Sequence, residues 1–573
     1  MPVSKYIFTI ITLCILVHTS SAQNIGKKMM IDPFNYSIQK DVTGSNGIVA
    51  CGHPLAAKVG MDILLQGGNA VDAAIATQLA LAVVFPGAGN IGGGGFMVAT
   101  IDGQHIALDF REVAPGTATE NMYIDPKTGK PNVDLSLEGH LSVGVPGTVA
   151  GLFAAMKYAR LPFNVLIRPA IELADKGFAI TQREAASLDS AQKYFMRNNK
   201  SRPAFIKAGG WWKAGDTLIQ KDLARTLERI RDHGSKGFYE GETAKLIVNE
   251  MKASGGLISY ADLKAYKAIE RTPEEFDYKD CHIITMPLPG SGGVLLPQML
   301  KMLSAWPLAQ YGFNTAQSVQ LITEAERRAY ADRARYLGDP DFNKVPLSTL
   351  LSDAYLAQRM ADYDSTHASL SADIKPGNIK ESEETTHLSI IDKDGNCASV
   401  TTTLNGWYGS KCVVAGAGFL LNNEMDDFSA QAGAPNQYGA IGGKANAIAP
   451  GKRMLSSMSP TIVLKGGKPF MVVGSPGGTT IITTVLQSII DVIDFDMSAH
   501  DAVYRPKFHH QWQPDEIFVE KDFPMDVRSQ LKAMGYKITG RGPWSRTELI
   551  RLKSGSTYEA TADYRGDDDA ESK

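Results

Sequence analysis

Glu384-Thr385-Thr386 opens an alternating run, "TTHLSIIDKDGNCASVTTT". Two threonines at a strand start are ordinary strand residues. The segment before them, "STHASLSADIKPGNIKESEE", is polar and loop-like, and that changes what they could do. A threonine hydroxyl is a weak nucleophile without a base beside it. One chemical solution makes the threonine a chain terminus, so that its own α-amine is the base. An α-amine titrates near pH 8, close to working pH. That requires the chain to be cut before the threonine, and a loose polar segment there lets the new terminus separate. The Glu384–Thr385 junction therefore reads as a self-processing site.

The hairpin must position this hydroxyl. "DG" between two alternating runs is a hairpin signal. With the turn centred on Asp394, Thr385 falls opposite Thr403. One face then carries Thr385, His387 and Ser389 against Thr403, Thr401 and Ser399. The other carries Leu388 and Ile390 against Val400 and Ala398. A two-residue Asp394–Gly395 turn would put Thr386 opposite Thr403 instead; the first register separates the faces better. In it, Thr403 can orient the nucleophile's oxygen, while Thr402 points to the apolar face and is expected to be a bystander.

Around the hairpin the chain reads as mixed α/β. "GIVAC" is a strand, and "VDAAIATQLALAVV" a helix capped by Asn69. Residues 145–260 and 295–365 are mostly helical by their three-to-four spacing. Short β-rich runs with glycine turns follow residue 385. "GAGNIG" at 87–92 fits a dinucleotide fingerprint, but a helix precedes it and a strand follows, the reverse of what that motif needs. Its glycines are expected to let backbones approach closely. "MVVGSPGGTTIITTVLQ" reads as strand, glycine turn and helix, and backbone N–H groups at such a helix start favour a developing negative charge. The acidic tail "GDDDAESK" is expected to be disordered.

The whole chain sets further bounds. It has 573 residues, 44% hydrophobic and 21% charged, enough for a large core. Its 58 basic and 61 acidic residues leave a net charge of −3, no hint of nucleic acid. Lys5, the run "YIFTIITLCILV" and the small residues Ser20 and Ala22 describe a signal peptide over residues 1–22. The apolar run is shorter than the roughly 20 residues of a membrane span. The mature protein is thus expected to be exported, periplasmic or secreted, with no membrane span. Cys51, Cys281, Cys397 and Cys412 remain after its removal. No CxxC or Cys/His cluster suggests a metal; a Cys397–Cys412 bridge and buried free thiols are both compatible with the spacing.

"TTHLSIIDKDGN", "TTTLN", "LLNNEMDDFS", "LSSMSPTIV" and "GSPGG" together resemble the γ-glutamyltransferase (γ-glutamyltranspeptidase) family. So do "GGNAVDAAIA", "GNIGGGGFM" and "DFREVAP", and the motifs keep the family's order from about residue 47 to 510. The resemblance implies a four-layer αββα sandwich of the N-terminal nucleophile hydrolase type. It implies a precursor that cuts itself into a large subunit (23–384) and a small one (385–573). Thr385 becomes the nucleophile, aided by Thr403, with Gly477 and Gly478 as the oxyanion hole. Arg111, Ser456 and Ser457 fall to the substrate α-carboxylate, and Asn405, Glu424 and Asp427 to its α-ammonium. Tyr438 falls on the lid loop "AGAPNQYGAIGG". The implied substrates are glutathione and other γ-glutamyl compounds, with water, amino acids or peptides as acceptors and no cofactor. A cephalosporin or glutaryl acylase on the same fold, and an exported binding protein that never matures, are the rival readings.

Overall fold

The computed structural model describes residues 31–374, 384–429, 443–542, 544 and 546–573. Residues 1–30, with the expected signal peptide, lie outside them, as do residues 375–383 of the polar run and residues 430–442 with Tyr438.

Two seven-stranded antiparallel sheets form the centre. The first runs, in spatial order, Asp569–Ser572, Gly47–Cys51, Glu384–Asp392, Cys397–Asn405, Gly94–Ile101, Gln104–Asp109 and Ile269–Arg271. The second runs Asp41–Gly44, Thr557–Thr561, Glu548–Ser554, Lys468–Gly474, Thr461–Lys465, Cys281–Thr285 and Glu274–Tyr278. Helices Pro54–Leu65, Ala70–Val84, Phe163–Lys176 and Lys221–His233 pack with the outer face of the first sheet through Cys51, Leu388, Ile390 and Val400. Helices Gly292–Leu303, Ala316–Tyr336 and Thr480–Ile493 share a core with Ile283, Ile462, Val472 and Leu549 of the second. Ile48, Ala50, Phe96 and Val98 of the first sheet join that second core from between the sheets. The order helix, sheet, sheet, helix is the four-layer αββα sandwich.

The local expectations fit where sequence signals are strong. Asn69 caps the helix Ala70–Val84 through a capping box with Asp72, and all of that helix is buried. The glycines of "GNIGGGG" are needed for close approach: a Cβ on Gly92 would lie 2.1 Å from the Leu420 carbonyl oxygen, and one on Gly93 2.1 Å from that of Thr403. Cys51, Cys281, Cys397 and Cys412 are all buried free thiols. Cys397 and Cys412 sit in different cores, the first in the second-sheet core and the second in the first-sheet core.

The tail departs from expectation. Asp569–Ser572 is the edge strand of the first sheet, paired antiparallel with Gly47–Cys51. Its acids are not a solvated run. Asp568 accepts a hydrogen bond from Arg546 at 2.6 Å, and Glu571 pairs with Lys58 at 2.8 Å. Asp569 accepts from the Gln39 backbone N–H. The partners lie far away in sequence, so a local charge count misreads the segment.

Candidate active site

The hairpin adopts the register expected from the Asp394 turn: Thr385 faces Thr403, Thr386 faces Thr402 and His387 faces Thr401. Asp392 ties the turn, accepting from the N–H groups of Asp394 and Asn396, both at 2.9 Å. The pairing shifts between Glu384 and Thr385, because Glu384 pairs with Asn405 and leaves Leu404 as the extra residue. The register irregularity therefore falls at the expected cleavage junction.

Thr385 is buried, and its hydroxyl donates to that of Thr403 at 3.5 Å. Thr403 Oγ1 also accepts from the Asn405 N–H at 2.8 Å. Asn90 braces this strand: its Nδ2 donates to the Thr403 carbonyl at 2.8 Å and to Thr402 Oγ1 at 3.1 Å. Asn90 is not among the residues that sequence singles out, since its amide reads only as part of a glycine loop.

The polar face of the hairpin points at the second sheet. His387 shares hydrogen bonds with Thr401 (2.9 Å) and Ser389 (3.1 Å), and Ser399 donates to the Val473 carbonyl. Complete burial lowers the His387 pKa to about 3, so the ring is neutral. Gly474 packs on that ring so closely that a Cβ there would lie 2.2 Å from it. The strand ending at Gly474 thus runs beneath the Thr385 strand, two residues along the same face from Thr385, and leads into the glycine turn.

At that turn Gly477 and Gly478 have φ of 126° and 59°. Neither N–H has a hydrogen-bond partner among the described residues, and the helix Thr480–Ile493 carries no side-chain cap. Two free donors before a helix N-terminus can stabilise an oxyanion.

The other expected residues form a buried charge cluster. Arg111 donates through Nη1 to Glu424 and through Nη2 to Asp427, and its Nε reaches the Met454 carbonyl at 3.3 Å. Glu112 lies 3.6 Å from the same guanidinium. Burial outweighs Arg111 and raises Glu112, to about 7, and Glu424, well above a usual carboxylate. Asn405, in the left-handed region at φ 71°, donates to the Asn423 carbonyl. Ser456 Oγ accepts from the Met458 N–H, and Ser457 Oγ accepts from Arg333 Nη2 at 3.1 Å.

Arg111 pairs with the two acids, and Ser457 accepts from Arg333, which also donates to Ser291 at 2.9 Å. Burial lowers Arg333 to about 10. Neither Arg333 nor Glu112 stands out in the sequence; "AERRAYADRARY" looks like a solvated helix face, yet Arg327, Arg328 and Arg333 are all buried. Thr402 also differs from expectation. It points to the helix-facing side, but its hydroxyl donates to the Gly94 carbonyl at 2.8 Å and accepts from Asn90 and Gln78. Thr386 Oγ1 is the buried hydroxyl without a hydrogen-bond partner there.

A threonine near the start of a central strand, a glycine turn of free N–H groups and an αββα sandwich define the N-terminal nucleophile hydrolase class. Comparison with known proteins narrows it. The family model for γ-glutamyltranspeptidase matches residues 56–572. The chain is 46% identical over 546 residues, 94% of each chain, to a glutathione hydrolase proenzyme of Escherichia coli (strain K12). Among solved structures, a cephalosporin acylase from Bacillus halodurans superposes with TM-score 0.82 at 26% identity, covering 95% of this chain and 99% of that one. A γ-glutamyltranspeptidase of Helicobacter pylori matches at 42% identity with TM-score 0.56, covering 60% of this chain and 96% of that one. This chain belongs to the γ-glutamyltranspeptidase family.

Proposed function

We propose that the chain is the exported precursor of a γ-glutamyltransferase and glutathione hydrolase, cut between Glu384 and Thr385. In maturation, Thr385 Oγ1 attacks the Glu384 carbonyl carbon and the peptide C–N bond breaks. The hydroxyl proton passes to the departing Thr385 nitrogen, leaving an ester that water hydrolyses. The products are a large chain, 23–384 once the leader 1–22 is removed, and a small chain, 385–573.

In turnover the freed α-amine takes the Thr385 hydroxyl proton as Oγ1 attacks the γ-carbonyl of glutathione or another γ-glutamyl compound. The Gly477 and Gly478 N–H groups hold the oxyanion. The amine leaves with the proton, and water or an acceptor amino acid or peptide then takes the glutamyl group from Thr385. The substrate's amino-acid end exchanges partners with the buried cluster. Its α-carboxylate takes up the Arg111 fork and the Ser456–Ser457 segment, and its α-ammonium takes up Glu424, Asp427 and Asn405. Tyr438, which the family resemblance assigns to the substrate, lies outside the described residues.

The observation that carries this reading is the pairing of Thr385 with Thr403 at an irregular strand start, within a chain that aligns along 94% of its length with a proenzyme. The Helicobacter match, nearly all of that chain against 60% of this one, fits an enzyme divided into two chains. The likeness to a cephalosporin acylase leaves an acylase as the second reading. The fork of Arg111 onto two carboxylates favours a substrate with a free amino-acid end. Intact-mass analysis and N-terminal sequencing test the assignment. A small chain beginning at Thr385 is expected, and Thr385→Ala should stay a single chain; a start at any other residue overturns it.

A further inference from the structure

We infer that His105, Glu275 and His282 form a binding site for one divalent transition-metal ion of the zinc type, clamping the two sheets together at one edge. The three residues come from both sheets: His105 from Gln104–Asp109 of the first, Glu275 from the edge strand Glu274–Tyr278 of the second and His282 from its neighbour Cys281–Thr285. One ligand atom from each lies within 4.8 Å of the other two. Glu275 Oε2 is 3.1 Å from His105 Nδ1 and 2.9 Å from His282 Nε2. A tetrahedral zinc ion with ligands at about 2.0–2.2 Å spaces its donors about 3.4 Å apart, so small side-chain adjustments suffice.

The surroundings fit a ligand set. The other ring nitrogen of His282, Nδ1, sits 2.7 Å from Asp277 Oδ1. A carboxylate on the far nitrogen is what orients a metal-ligating histidine and raises its donor strength. Two imidazoles and one carboxylate suit zinc and its neighbours, not calcium or magnesium. The side chains are 23–37% exposed, leaving a fourth position open to water and an entry path for the ion. His105 lies far before Glu275 and His282 in the chain, so no spacing motif announces the set.

The site is remote from the chemistry. His105 pairs with Thr100, and Thr100 with Cys397, at the turn end of the hairpin, whereas Thr385 and Thr403 are at the other end. The strand from Cys397 to Thr403 spans about 20 Å. The ion would brace the sandwich and take no part in acyl transfer.

Untagged, processed protein is stripped with EDTA and titrated calorimetrically with zinc chloride; cobalt(II) chloride gives a visible absorption readout of tetrahedral coordination. One equivalent should bind and raise the melting temperature. His282→Gln and Glu275→Gln should each weaken binding at least tenfold, with autocleavage and γ-glutamyl anilide hydrolysis unchanged as proof of folding. His105→Gln, on the opposite sheet, is the further variant should either misfold. Absence of saturable binding, or equal affinity in the variants, would overturn the site and leave an ion-pair cluster.

Discussion

Arg111 shows how much depends on geometry at a single residue. Its fork engages Glu424 and Asp427 through separate nitrogens, which a lysine cannot reproduce. Arg111→Lys should lower kcat/KM for γ-glutamyl substrates tenfold to more than a hundredfold, equivalent to about 1.5–3 kcal/mol of charge-assisted hydrogen bonding. Steady-state kinetics with a γ-glutamyl anilide measure it, and unchanged kinetics would make Arg111 purely structural. Thr403 offers a second test. Thr403→Val keeps shape and deletes the hydroxyl facing Thr385, so autocleavage and turnover should slow together. The matched control is Thr386→Val, whose hydroxyl is buried without a partner, and it should be nearly silent. Thr402→Val is no control. It strips a partner from the buried Asn90 and Gln78 amides and should cost about 1–3 kcal/mol of stability. Greater damage to processing from Thr386→Val than from Thr403→Val would refute the register argument in its functional form.

Among the elements, the hairpin and the glycine turn do the positioning. The hairpin is legible because alternation and a DG turn are local signals, and the polar face they define becomes the face between the sheets. What the alternation does not say is that this polar face is buried, with His387 held neutral among hydroxyls. The turn after Gly474 is equally local in sequence, and its glycines are required by conformation. Gly477, at φ 126°, occupies a region closed to other residues, while Gly478, at φ 59°, sits where alanine costs about 1–2 kcal/mol. Gly478→Ala should therefore fold, with a modest fall in melting temperature. Gly477→Ala should distort the donor pair and lower kcat by about 10²–10³, the loss expected for one oxyanion donor. Measured kcat in both variants checks the ranking; a Gly477→Ala enzyme with normal kcat would remove that N–H from the mechanism.

At the scale of the whole molecule, the strand Asp569–Ser572 completes the sheet that carries Thr385. Burial raises the Asp569 carboxyl to about 7, above its unfolded value near 4. The folded state thus keeps a proton that the unfolded chain releases, and this residue's contribution to stability declines as pH rises from about 4 to about 7. An asparagine in its place would escape that loss while keeping the acceptor for Gln39. Asp569→Asn should gain on the parent by about 1–3 kcal/mol between pH 4 and pH 8, read from thermal unfolding at the two pH values. A difference independent of pH would mean that the carboxyl titrates normally. The acidic tail also marks the boundary between what sequence and tertiary structure decide. Alternation, caps, glycine turns and the order of the family's motifs are properties of neighbouring residues, so the hairpin register, the helix cap at Asn69, the glycine close approaches and the family resemblance follow from the sequence by itself. Whether a charged segment is solvated or buried depends on partners supplied from elsewhere. Arg546 for Asp568, Ser457 for Arg333, Asn90 for Thr402, and His105 beside Glu275 and His282 are pairings across 22 to more than 300 residues. Only the packed sandwich brings these groups together, because the low-dielectric interior admits a charge or a hydroxyl when its partner is already in place.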